Sequence, residues 1–388
     1  MHSRRGLRNQ GVPRMSHGIR RTRVTGATTR PGSLSGSRMA ADSAGRITSD
    51  DSPYGRVSAM RLSIRLWACL LCLAAVTGLL VLAGCSSSGG DTVYQNVSER
   101  PAWGSTSRIC FTSWGGNEIK YLYTLREGGG GLYLLTWSDG DDDYSDEGGS
   151  HPAYSPNGET IAFCGRRGPK DGIYTVDADD GDRNAAATLI TQPPGDGADS
   201  MPSYSPDGNT IVFVTTAFNG TMDLATVAAN GTGRAVLAGA DARVEPMAAD
   251  ATVNRLWPTY TPDGTGILYE QRAVDSNQSD IYLYTIATQT AVPLLATAYD
   301  EGAPAMSPDG ATILFHTNRA GPKYDLWAMD ADGSNQRAVT ATSRSDGYPI
   351  WSPDGARVGF VRDRELWSMV WTAVEADRDY KRLTRRYN

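Results

Sequence analysis

Past residue 100 the chain holds few of the groups that make and break covalent bonds. Its histidines there are His151 and His316, and its cysteines are Cys110 and Cys164. A nucleophile needs a base within hydrogen-bond reach, and no Gly-x-Ser-x-Gly elbow supplies one in this stretch. The acidic run Asp139-Gly-Asp-Asp-Asp143 lacks glycine at the sixth position, where a calcium loop turns sharply. It reads as a solvated loop, and neither a metal nor a cofactor is expected. Cys110 and Cys164 read as two small buried thiols, with a disulfide as the alternative in an oxidising compartment. Cys85 stands apart. Arg61 and Arg65 precede an apolar run from Leu66 to Leu82, and the run ends in Leu82-Ala83-Gly84-Cys85. Small residues in that place suit a peptidase cleft.

That tetrapeptide resembles the lipobox of bacterial lipoproteins at all four positions. The resemblance implies a diacylglyceryl group on Cys85, cleavage on its N-terminal side and acylation of the new amine. Ser86-Ser87-Ser88-Gly89-Gly90 then forms a flexible tether. A plain transmembrane anchor is the alternative, since 17 apolar residues lie near the lower limit of a span. The expected organisation is an Arg-rich extension or mis-assigned start over 1–59, a signal peptide over 60–84, and a lipidated Cys with its tether over 85–100. One folded unit occupies 101–388.

Charge divides the same way. Of the 37 basic and 43 acidic residues, 13 Arg and 3 Asp lie before residue 86, which leaves the remainder near −16. A field of that sign repels phosphate backbones, so nucleic acid is not an expected partner.

The elements that must position any site are internal repeats. Five copies are plain: Pro152-Ala-Tyr-Ser-Pro-Asn-Gly158, Pro202-Ser-Tyr-Ser-Pro-Asp-Gly208, Pro258-Thr-Tyr-Thr-Pro-Asp-Gly264, Pro304-Ala-Met-Ser-Pro-Asp-Gly310 and Pro349-Ile-Trp-Ser-Pro-Asp-Gly355. An apolar triplet such as Ile313-Leu-Phe315 follows each one. A degenerate sixth copy opens as Pro101-Ala-Trp103 and resumes at Ile109-Cys-Phe111. The leading prolines are 51, 50, 56, 46 and 45 residues apart, about the length of a four-stranded propeller blade. Pro suits φ near −65°, the Asp carboxylate can bond the backbone, and Gly accepts positive φ, so each motif should reverse a first strand into a second. Third and fourth strands follow in every unit.

These units resemble the WD-like repeats of the TolB family. The resemblance covers residues 101 to 388 and implies an all-β, six-bladed propeller with four antiparallel strands per blade. Function is carried over only weakly, because one fold hosts many functions. An α/β domain precedes the propeller in that family. Here about 15 residues separate Cys85 from blade one, so a role in the Tol machinery is not transferred.

With the innermost strand starting at each repeat proline, the residue before it should sit at one mouth of the central channel. Those residues are Arg100, His151, Met201, Trp257, Ala303 and Tyr348. They could form a pocket for one polar ligand or simply rim a water-filled channel. Carboxylates recur just upstream: Glu99, Asp146, Glu147, Asp199, Asp300, Glu301 and Asp346, with Asn254 in blade four. One reading is an acidic rim for a basic segment or cation; the other is that each caps its own loop. Arg166, Arg167, Lys170, Arg319 and Lys323 belong to second-to-third loops on the same side, either as solvated charges or as a patch.

The expected protein is a monomeric, non-catalytic scaffold held by its lipid in the cell envelope, either outside the cytoplasmic membrane or in an outer membrane, with a propeller face that binds a protein or peptide. The alternatives are a glycan- or small-ligand-binding lipoprotein using His151, Trp257 and Tyr348, or a lyase or hydrolase. Metal-dependent lyases of the TolB-propeller group use more histidines than this body has.

Overall fold

In the computed structural model of the chain, the described residues are 97–114, 120–136, 148–166, 171–178, 187–217, 221–237, 252–372 and 378–385. The lipobox and everything else before Val97 lie outside them, as do Asp139–Asp143, Asp146, Glu147, Arg167 and Lys170.

Six four-stranded sheets are present, each built from four consecutive antiparallel strands. The first strands are Ala102–Trp103, Ser150–Tyr154, Asp199–Tyr204, Val253–Tyr260, Glu301–Met306 and Asp346–Trp351. Neighbouring first strands touch around the ring, and that of blade six returns to that of blade one. Fourth strands are short, two or three residues in every blade but the fourth, where Thr290–Leu295 is longer.

The motif bends the chain between first and second strands as its residue types require. In blade five, Ser307 Oγ donates to Asp309 Oδ1 at 2.5 Å and accepts from Thr312 N at 2.9 Å, while Ala311 N donates to Asp309 Oδ1 at 3.0 Å. Gly310, whose N–H donates to Ser307 O at 2.8 Å, sits at φ 74°, a conformation that costs an L side chain roughly 1–2 kcal/mol.

Alternation along the second strands gives each blade two apolar faces. Ile161 and Phe163 pack with Cys110 and Leu122 of blade one, whereas Ala162 packs with Ile211 and Phe213 of blade three. The same division holds at every seam, so six buried clusters fill six interfaces between neighbouring blades. Each fully buried Phe of a triplet contributes about 1.5–3 kcal/mol relative to exposure. No single sheet could hide both its faces, which is why the ring closes.

The closing seam has an extra part. Val97 N donates to Arg364 O of blade six at 2.9 Å, and Val97 forms a bridge with Ser113 of blade one. Its side chain is buried between the two sheets with Trp103, Ile350 and Leu366. Cys110 and Cys164 are free thiols, and burial raises the pKa of both, that of Cys164 to about 12.

Candidate functional site

The residue before the repeat proline has an unusual backbone in five blades. His151, Met201, Trp257, Ala303 and Tyr348 all lie at φ between 48° and 54°. In each of these blades the register between first and second strands shifts at this point. Proline has no N–H to give a ladder, so it sits where the ladder skips, and the bulge turns its predecessor out of the sheet.

Three of the turned-out side chains meet across the channel. The His151 and Trp257 ring centroids lie 5.2 Å apart, and those of Trp257 and Tyr348 5.1 Å apart; these residues belong to blades two, four and six. Tyr348 also packs on His316, which packs on Tyr324. Arg100 reaches in from the entry to blade one, with its Cζ 5.6 Å from the Trp257 ring centroid. Met201 lines the same cavity, of about 1200 Å³, as Trp257 and Tyr348. Ala303 is fully buried and contributes only its backbone.

A bulge frees a backbone N–H, and an unpaired buried donor is costly. Three of these amides find a side chain of the preceding blade. His151 N donates to Glu99 Oε2 at 3.2 Å, Ala303 N to Glu270 Oε2 at 3.2 Å and Tyr348 N to His316 Nδ1 at 3.4 Å. Glu270 also accepts from Ser279 Oγ at 2.8 Å. Burial raises the Glu270 pKa and lowers that of His316 to about 4. The imidazole is therefore neutral near pH 7 and can accept through Nδ1. Gly302 lets both groups approach: a Cβ there would meet Glu270 Oε2 at 2.4 Å and His316 Nε2 at 2.8 Å.

The described members of the acidic series are bonded inside the propeller. Asp199 pairs with Arg234 at 2.8 Å, Glu301 with Arg319 at 2.8 Å, and Asp346 with Arg362 through two contacts of 2.6 and 2.7 Å. Asp300 accepts from Ser279 N at 2.9 Å and from the Tyr324 hydroxyl, and Glu99 pairs with Lys120 at 2.8 Å. Blade four inverts the charge: Arg255 occupies the place of Asp199 and Glu301 and pairs with Asp223 at 2.6 Å, while Asn254 accepts from Met222 N at 3.0 Å. Arg166 is not a loop residue but ends the second strand of blade two, where it pairs with Asp171 at the start of the third at 3.0 Å, while Lys323 in its loop donates to Ser343 O. Among the described residues no three His, Cys, Asp or Glu side chains converge as metal ligands.

Sequence reasoning missed Glu270 and gave His316 no place at the mouth, though a signal exists. Both follow the aromatic of the second-strand triplet, where blades two, three and six carry Cys164, Val214 and Val361. A glutamate and a histidine at a repeat position that is apolar in those three blades and Thr112 in blade one mark something to be bonded.

Comparison with known proteins agrees with this architecture. Residues 236–388 match the TolB beta propeller domain. Among solved structures, TolB from Acinetobacter baumannii superposes with a TM-score of 0.54 at 19% identity, covering 71% of this chain and 64% of that one. A putative TolB from Agrobacterium tumefaciens gives 0.50 at 18% identity, over 66% of this chain and 86% of that one. The tricorn protease gives 0.53 at 16% identity, over 76% of this chain and 27% of that one. A curated relative, "Uncharacterized peptidase YuxL" from Bacillus subtilis, is 34% identical over 87 residues, which is 21% of this chain and 13% of that protein's length. The repeats and the six sheets of four sequential strands make the described residues from Val97 onward a six-bladed β-propeller, within which residues 236–388 match the TolB beta propeller domain.

Proposed function

We propose that the protein is a lipid-anchored, non-catalytic scaffold of the bacterial cell envelope, and that it binds a protein or peptide partner at the channel mouth built by Arg100, His151, Trp257 and Tyr348. One observation carries this reading. Two of the mouth's buried groups with shifted pKa values, Glu270 and His316, already hold bulge amides, so they serve as structural acceptors while the aromatic side chains face the cavity. Perturbed pKa values often mark catalysis, but here the perturbation comes with a fixed hydrogen-bonding role. Buried aromatic and arginine side chains in a concave site are the usual anchors of recognition. Anchoring rests on Leu82-Ala83-Gly84-Cys85.

Affinity capture from envelope extracts tests the binding. Wild-type protein should recover a partner that the triple variant His151→Ala, Trp257→Ala, Tyr348→Ala loses; recovery that survives the three changes refutes a mouth-centred site. The paired Trp257 and Tyr348 rings also favour a second reading, a glycan or small polar ligand. Glycan-array binding that the same changes abolish would select it. Turnover of a polyuronate or peptide substrate would overturn both. Incorporation of a palmitate analogue should disappear in Cys85→Ala, and equal labelling would remove the anchor.

A further inference from the structure

Of the residues that precede a repeat proline, Arg100 alone does not come from a strand. It leaves the chain between Val97 and blade one, yet its Nη2 donates to Pro304 O at 2.5 Å, on blade five. Its guanidinium lies against Trp257 of blade four, and Glu270 acts on its charge from the same blade. An indole ring and a backbone carbonyl, fixed by blades four and five, thus hold a cation supplied from the far side of the ring. A planar, delocalised cation that can stack and donate in one plane is what such a cage recognises, and an ammonium fits it less well.

Among the described residues Arg100 makes no ion pair, and its Nε has no hydrogen-bond partner. Burial costs the guanidinium more than Glu270 restores, so its pKa falls to about 10. The carboxylate that could pair with it is committed to Ser279 and Ala303.

We propose that the cage formed by Trp257 and Pro304 O is a recognition site for an arginine side chain of the protein partner, filled in the free protein by Arg100. The physiological ligand rests on the scaffold reading above; the cage itself does not. A body charge near −16 steers a basic segment toward this surface. Entry displaces Arg100, and because that residue is tethered close by, it competes at a high effective concentration.

The test uses the full-length chain in detergent, with N-acetyl-arginine amide, N-acetyl-lysine amide and the isosteric, uncharged N-acetyl-citrulline amide as probes. In Arg100→Ala the arginine probe should raise the melting temperature saturably. Half-saturation should need at least about ten-fold more of the lysine or citrulline probe, or of the arginine probe with wild type, the difference that 1.4 kcal/mol gives. Adding Trp257→Ala should abolish the effect. The cage is refuted if Arg100→Ala shows no saturable rise, if citrulline equals arginine, or if the rise persists without Trp257. Should Arg100→Ala lack a cooperative melt, its restoration by the arginine probe alone supports the cage, and no restoration overturns it. Probe binding without partner capture leaves the cage and removes the scaffold reading; capture without probe binding does the reverse.

Discussion

Blade five and blade one are built by the same rules with different completeness. Blade five has a six-residue first strand and the full Ser307-Pro-Asp-Gly310 web, whereas blade one has a two-residue first strand, Ala102–Trp103. Its turn is one residue shorter, yet the reversal survives. Ser107 N donates to Gly104 O at 3.2 Å, as Gly310 N does to Ser307 O, and Ser107 takes φ 59° in the place of the glycine. The second strands are equivalent, with Phe111 and Phe315 both fully buried. Seam packing therefore makes the blade, and the turn motif locks its bend.

The two blades should respond alike to loss of the packed ring and unlike to loss of the turn. Phe111→Ala and Phe315→Ala should each cost about 3–5 kcal/mol in denaturant unfolding. A clear inequality would mean that blade one is held differently. Asp309→Ala removes hydrogen bonds to an exposed carboxylate and should cost about 1 kcal/mol, while Thr106→Ala, at the matching place in blade one, should stay within about 0.5 kcal/mol.

Acid separates the blades further. The Ser307 hydroxyl and the Ala311 N–H hold the Asp309 pKa below its ordinary value, and Asp207, Asp263 and Asp354 are lowered by the same contacts. A carboxylate whose pKa is lower in the folded state contributes stability above its unfolded value near 4, and loses it as pH falls through the folded value. Asp309→Asn should accordingly flatten the loss of stability below about pH 4, measured by thermal melts across pH; an unchanged slope would remove Asp309 from the effect. The smallest expected change is a gain. Ser107→Gly relieves a strained backbone and should stabilise by about 0.5 kcal/mol, read as a higher unfolding midpoint.

Much of this fold was legible because punctuation repeats. Pro, Asp and Gly fix blade count, bend and register through local geometry, and the residue before each proline named Arg100, His151, Met201, Trp257 and Tyr348 as neighbours at one mouth. The bulge that turns all of these but Arg100 inward follows from proline's missing N–H. Less visible was what the upstream carboxylates touch, since Asp199–Arg234 and Asp346–Arg362 depend on how strands align across a sheet. Least visible was Arg100 at Pro304, 204 residues away, because no local preference encodes a contact across the axis.

Among the described residues every sheet is spun from four consecutive strands, and none borrows a strand from the other end. Many ring-shaped molecules need such a loan as a clasp; this one relies on side-chain packing and the single valine stitch at Val97. The order in which the sheets are joined is thus a matter of wiring rather than architecture. Splicing the ends and cutting at another inter-blade loop would leave all six units whole, with the rewired ring as stable as its seams allow.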